Sequence, residues 1–136
     1  QGELPMITLL YAGLCTILVI FLAVRVVLWR RSHKIGLGHG GDRELQKRMR
    51  AHANAVENVP LALILLGGME LNGYNMAVIH GFGSVLVLSR MAHAWGLSHS
   101  GGTSKGRFLG SAFTWTLMLA MAVFAIGGYL QQYLVA

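Results

Sequence analysis

Arg50-Ala51-His52-Ala53-Asn54-Ala55-Val56-Glu57-Asn58-Val59-Pro60 carries charge straight into a stretch that otherwise reads as membrane. How that charge is housed decides whether the second apolar segment counts as a spanning helix. A hydrocarbon core of about 30 Å, at about 1.5 Å per helical residue, needs roughly 20 residues, whereas Val59 to Leu71 supplies 13. Either the helix projects from the bilayer or Arg50 to Glu57 lies against protein at the membrane boundary. In both cases Arg50, Asn54 and Glu57 stand together, because positions i, i+4 and i+7 fall within roughly 60° on a helix.

Outward from this run, four apolar segments can be read: 4–29, 45–71, 76–96 and 108–134. Each is long enough to span if the second includes its polar start, so the chain reads as one all-α domain, residues 1–136, an integral membrane four-helix bundle. The first connection holds Arg30, Arg31, His33 and Lys34 and then the glycine-rich Gly36 to Asp42. The second is the short uncharged turn Asn72 to Asn75, and the third, Ser98 to Gly106, is again polar, with Lys105 and then Arg107. Positive residues gather on one side, which places loops one and three in the cytoplasm and both termini outside.

Composition agrees with a bilayer-embedded chain. Of 136 residues 54% are hydrophobic and 12% charged, with a mean hydropathy of +0.56. The 11 Lys and Arg exceed the 5 Asp and Glu, a balance that in a soluble protein would suggest nucleic acid. Here the basic residues sit at the ends of apolar segments, where topology accounts for them, so no nucleic-acid partner is expected. The single Cys15 rules out an intrachain disulfide or a cysteine metal cluster and is assigned to packing; no metal site is expected. The first segment is too long for the apolar part of a signal peptide and follows Glu3, so it reads as a spanning helix.

Trp29 and Trp95 near one end of the bundle and Tyr74, Tyr129 and Tyr133 near the other are placed as interface anchors. Gly67, Gly68, Gly81, Gly83, Gly127 and Gly128 are read as points of close helix approach. Pro60 removes a backbone hydrogen bond where the polar stripe ends, which predicts a kink there.

Ionisable groups inside spans cost on the order of 2.5–3.5 kcal/mol at a helix centre and so pair or face a polar cavity. Arg50, His52, Asn54 and Glu57 on helix two, Arg90 and His93 on helix three, Arg30 and Arg31 ending helix one and Arg107 opening helix four all fall at the loop-one and loop-three ends. They can converge on one cationic pocket that holds more Arg than acid and suits an anionic ligand. The competing view of Arg50 and Glu57 is an ion pair that only satisfies two charges, and Arg30, Arg31, Lys34, Arg43, Lys47 and Arg48 can be topogenic charges. His80, placed near mid-membrane, is read as an interhelical hydrogen bonder and left out of the site.

At these residues the chain resembles the MAPEG family, the membrane-associated proteins in eicosanoid and glutathione metabolism, and most of all its short bacterial members. The resemblance covers essentially the whole length. It rests on Arg50-Ala51-His52, Asn54, Glu57 and Pro60, on Ser89-Arg90-Met91-Ala92-His93, and on Gly106-Arg107. It implies a homotrimer in a bacterial inner membrane, with glutathione as cofactor between subunits near the cytoplasmic face. By the same resemblance Arg50, His52, Asn54 and Glu57 hold the glutathione backbone and its charged ends, Arg90 and His93 line the pocket, and Arg30 joins from helix one. Arg107 approaches the thiol as the catalytic residue. A thiol with a pKa near 8.5 is mostly protonated at neutral pH, and a neighbouring guanidinium favours the reactive thiolate.

The implied activity is conjugation of glutathione to a lipophilic electrophile, or reduction of a lipid hydroperoxide, the second substrate arriving from the bilayer. Ala53 and Leu97 depart from a further arginine and a tyrosine that some members carry, so prostaglandin or leukotriene synthesis is not expected. The alternative is a non-catalytic membrane protein whose pocket holds glutathione, lipid or another anion. A weaker third reading makes His80 and His93 haem ligands, which requires two partner histidines that the spans do not supply.

Overall fold

The computed structural model describes residues 6–99 and 105–136, except for the side chains of 97–99 and 105–107. Four helices run through it: α1 (Ile7–His33), α2 (Arg43–Leu71), α3 (Met76–His99) and α4 (Lys105–Val135). Each extends past its expected bounds on the loop-one and loop-three side, because the polar and basic turns there satisfy helical backbone as well as apolar ones do. Three stretches are long and apolar enough to cross a membrane, Ile7–His33, Met76–Gly96 and Phe108–Val135. The fourth helix, α2, has 29 residues, about 44 Å at ~1.5 Å each, so it traverses the same thickness and projects its charged first turns beyond it.

Packing order explains how α2 tolerates its charge. α2 and α3 each contact every other helix, whereas α1 and α4 do not meet among the described residues. The polar helix is therefore at the centre of the bundle, and the most apolar helices flank it with large side chains such as Ile17, Phe21, Trp115 and Leu119 facing outward. A bilayer can solvate such a surface, and backbone polar groups are satisfied within each helix.

The main core gathers Cys15 of α1, Leu66 and Met69 of α2, Ile79 and Leu86 of α3 and Met121 of α4. A second cluster packs Leu22 between Ala51 and Ala55 of α2 and Ala94 of α3. The small side chains at 51 and 55 let α1 close on one side of α2, which turns Arg50, Asn54 and Glu57 away from α1.

The first loop is built as a clasp. Lys34 takes a left-handed conformation, φ 54°, and its N–H, with that of Ile35, returns to the Arg30 carbonyl. Asp42 caps α2 by accepting from the Leu45 N–H at 2.9 Å, while its other oxygen accepts from the Trp29 indole, also at 2.9 Å. That indole stacks on His33 at 4.1 Å and carries the Arg48 guanidinium at 4.4 Å. Trp29 is thus a fastening of loop one.

At the opposite end Glu70 of α2 accepts from the Ile7 and Thr8 N–H groups at 2.5 and 2.8 Å. A carboxylate from a neighbouring helix therefore satisfies donors at the α1 N-terminus, where negative charge is favoured. Tyr74 donates to the Phe124 carbonyl and ties the second turn to α4. The glycine expectation holds in part. A Cβ at Gly83 would overlap the Tyr11 ring and one at Gly128 the Tyr74 hydroxyl, but Gly68, Gly81 and Gly127 have nothing within 4 Å in this chain.

Candidate functional site

Arg90, the largest fully buried side chain among the described residues, organises the polar end of the bundle at 1% exposure. Its Nη2 donates to Asn54 Oδ1 of α2 at 2.6 Å and to His93 Nδ1 one turn on at 3.2 Å, and its Nη1 reaches Thr114 Oγ1 of α4 at 3.5 Å. Arg has only donors, so Nδ1 of His93 accepts and the imidazole proton sits on Nε2. Thr114 donates in turn to the Gly110 carbonyl at 2.7 Å and meets Ser89 at 3.0 Å. The guanidinium joins α2, α3 and α4 through neutral acceptors, and its Nε has no partner among the described residues.

Close approach makes this possible. A Cβ on Gly110 would lie 2.6 Å from the His93 backbone nitrogen, so α4 can press on α3 at this level only where residue 110 lacks a side chain. Thr114 and Gly110 were not singled out from the sequence, and Ser89 entered only as the first residue of the helix-three run. Their signal is faint, since a Ser or Thr in a span is common and Gly110 is one of 18 glycines.

Asn54 is the hinge between the buried cluster and the surface. Behind it, Asn58 donates to the Asn54 carbonyl at 2.8 Å and accepts from the Trp115 indole at 3.2 Å. In front, Arg50 and Glu57 face outward, with side chains 54% and 56% exposed and 3.9 Å between Nη1 and Oε1. That separation lies outside hydrogen-bond range, and an exposed pair of this kind is worth at most about 1 kcal/mol. Both charges remain available to a ligand.

Placement of the expected residues is therefore uneven. Asn54, Arg90 and His93 come together, and Arg50 and Glu57 stand as a pair beside them. Arg90 and His93, at 1% and 2% exposure, are enclosed among the described residues; Arg90 bonds Asn54 from behind and His93 bonds Arg90. Arg30 reaches loop one and the start of α2, donating to the Gly38 carbonyl at 2.7 Å and to Met49 Sδ at 3.4 Å; these bonds do not bring it to Asn54 or Arg90. His52 is half-buried on α2. Arg107 lies in the first turn of α4, but its side chain and that of Leu97 fall outside the described residues.

His80 is not at mid-membrane. It sits one turn into α3, at the end remote from Arg90, because α3 begins at Met76. Its Nδ1 meets the Tyr11 hydroxyl at 2.7 Å, the interhelical bond expected of it. Cys15, 1% exposed, is core packing.

One chain thus presents a cation and a carboxylate on an outward face, braced from behind. Residues 8–127 match the MAPEG family. The chain belongs to the MAPEG family. Two similar MAPEG-length proteins, each named Inner membrane protein YecN, come from Escherichia coli strain K12 and from E. coli O6:H1 strain CFT073. Each is 36% identical over 118 residues, covering 87% of this chain and 88% of the relative. The family match spans all four helices, so the all-α membrane bundle and the MAPEG assignment stand on the same residues.

Proposed function

We propose that this MAPEG protein is a glutathione-dependent transferase or peroxidase acting on lipophilic electrophiles or lipid hydroperoxides as a homotrimer in the bacterial inner membrane, with loops one and three cytoplasmic and both termini outside. The inner-membrane naming of its E. coli relatives supports the location. The observation that carries the rest is the exposed Arg50–Glu57 pair beside an Asn54 held by buried Arg90. Glutathione offers two carboxylates and an ammonium group, and this face offers a guanidinium fork, a carboxylate and a fixed amide. Arg30, His52 and Arg107 belong to the same proposed site, with the neighbouring subunit completing it. Arg107 acts on the thiol by favouring its deprotonated form.

Calorimetric titration with glutathione tests the binding step. Binding in the wild type, retained by a thiol-free analogue and lost in Glu57→Gln, is the expected result; no heat in the wild type overturns it. Turnover with a panel of electrophiles tests the reaction, and replacing Arg107 by a neutral residue should lower the rate and move its pH dependence upward. Unchanged kinetics there would remove Arg107 from the mechanism.

In a second reading the same exposed Arg50–Glu57 pair holds glutathione, lipid or another anion without reaction. It predicts heat on titration and no product from any electrophile.

A further inference from the structure

Loop one folds back toward the span that precedes it. The left-handed Lys34 returns its own N–H and that of Ile35 to the Arg30 carbonyl, and the chain then reverses through Gly38 and Gly40, both at positive φ. Arg30 Nη1 donates to the Gly38 carbonyl at 2.7 Å, and Asp42 accepts from the Trp29 indole at 2.9 Å. Arg30 and Trp29 both belong to the Ile7–His33 span, so residues 38–42 are drawn alongside the end of α1 instead of standing off it. The loop is also held from within. The Asp42 N–H returns to the His39 carbonyl at 2.8 Å, the Gly41 N–H donates to His39 Nδ1 at 3.1 Å, and Ile35 packs so near Gly40 that a Cβ there would lie 3.5 Å from it.

This fastened loop turns Ile35 inward and holds Leu37 outward, at 92% exposure the barest large apolar side chain among the described residues. Around it the charge is one-sided. From 30 to 48 the chain carries Arg30, Arg31, Lys34, Arg43, Lys47 and Arg48 against Asp42 and Glu44. Asp42 is engaged by Trp29 and the Leu45 N–H, and Glu44 by Lys47 and Arg48. Arg31, Lys34 and Arg43 are exposed and form no ion pair with any described residue. An apolar tip beside free cations, drawn back to the end of a membrane span, matches an anionic bilayer surface. There headgroups meet the cations while the tip leaves water for the headgroup–acyl boundary. Two such loops facing each other would instead bring like charges together.

We propose that loop one is a membrane-surface anchor: Leu37 dips into the leaflet beside it, and Arg31, Lys34 and Arg43 gather anionic lipid headgroups around that point. The bilayer that surrounds α1 continues under the loop, so the occupant is already at hand. The irregular backbone stays at headgroup depth, where water and lipid polar groups serve it, and each cation adds attraction to the negative surface. The anchor stands apart from the Arg50–Glu57 face and does not depend on it.

The test uses the full chain reconstituted in phosphatidylcholine vesicles with or without phosphatidylglycerol, carrying a nitroxide on Leu37→Cys; the wild type, whose Cys15 is buried, is the labelling control. Collisions with a water-soluble nickel chelate report exposure to water, and collisions with oxygen report immersion in lipid. With phosphatidylglycerol present the label should be shielded from nickel and open to oxygen. Arg31→Gln and Lys34→Gln, each added to Leu37→Cys, should lower the ratio of immersed to water-exposed label about fivefold, the loss expected of one interfacial cation. Free access of nickel in the presence of phosphatidylglycerol overturns the proposal, and so does equal immersion in the two vesicles. Shielding in both lipids with spin–spin broadening gives Leu37 to a second copy of this chain and overturns it as well. Hydrogen exchange of residues 36–40 in the unsubstituted protein needs no label: it should slow when phosphatidylglycerol is added, and identical exchange in the two vesicles overturns the proposal even if Leu37→Cys does not fold.

Discussion

Arg50 and Arg90 are both arginines at the same end of one bundle, and they do opposite things. Arg90 is enclosed, spends its donors on Asn54, His93 and Thr114, and holds three helices in register. Arg50 is more than half exposed, paired loosely with Glu57, and holds nothing that the chain needs for folding. The contrast teaches that the polar residues of a membrane protein divide by what satisfies them. Those satisfied inside the subunit are structural even when their sequence pattern resembles a binding site, and those left facing out carry the capacity to recognise something else.

The largest expected effect follows from that division. Arg90→Ala removes a buried side chain and strips acceptors on Asn54, His93 and Thr114 of their donor, a combination of cavity and unpaired polar groups that costs about 3–5 kcal/mol. Thermal unfolding in detergent should show it as a large loss of stability. Arg50→Ala should cost less than about 1 kcal/mol while removing glutathione binding. If Arg50→Ala destabilised as much as Arg90→Ala, the distinction between brace and reader would fail.

Gly110 and Gly68 extend the same comparison to backbone. Gly110→Ala drives a methyl into the His93 main chain, so α3 and α4 must separate at the brace, with an expected cost of about 1–3 kcal/mol. Gly68→Ala meets nothing within 4 Å and should be neutral or stabilising by up to about 1 kcal/mol through helix propensity. Denaturation of both variants in the same detergent checks the signs. A clear loss at Gly68 would sharpen the picture by placing that exposed face at a subunit contact.

Glu70 provides a third, smaller case, since its charge is neither buried like Arg90 nor free like Arg50. Glu70→Gln leaves one acceptor oxygen for two N–H donors at the start of α1 and removes the negative charge there, at a cost of about 1–2 kcal/mol. Hydrogen exchange should show the loss in the first turn of α1, with the Arg90 cluster still protected.

The helix count, the all-α membrane architecture and the family were legible in the sequence, because hydrophobic length and the Arg50–Pro60 run depend only on local spacing. The approach of Asn54, Arg90 and His93 was legible in part, since charges at one depth have few places to go. Their burial was not. Whether Arg90 faces outward or inward depends on Gly110, Ser89 and Thr114, small residues whose meaning appears only when α3 and α4 are docked. Arg30 is a further case: its depth was legible, but its partners, the Gly38 carbonyl of loop one and Met49 of α2, depend on the left-handed turn at Lys34 and on how α2 docks. Glu70 was passed over because capping in trans joins residues 63 apart in sequence.

The clasp at loop one offers the smallest effect and a pH-dependent one. Asp42 accepts from the Leu45 N–H and from the Trp29 indole, and these bonds hold its carboxyl below the ordinary carboxylate range. Because the folded value is depressed, the stabilisation is fully present above the unfolded value, near 3.9, and is lost as pH falls through the lower folded value. Glu44, whose partial burial pushes its carboxyl up, is carried below its usual range by Arg48 and Lys47, so global acid unfolding would mix the two groups. A local readout separates them: exchange protection at Leu45, measured in wild type and Asp42→Asn at matched pH. Wild type should be better protected at pH 6 and the gap should close below pH 4. A gap that persisted in acid would mean that geometry, not the charge on Asp42, fastens α1 to α2, leaving Trp29 and its stacked partners to do the holding.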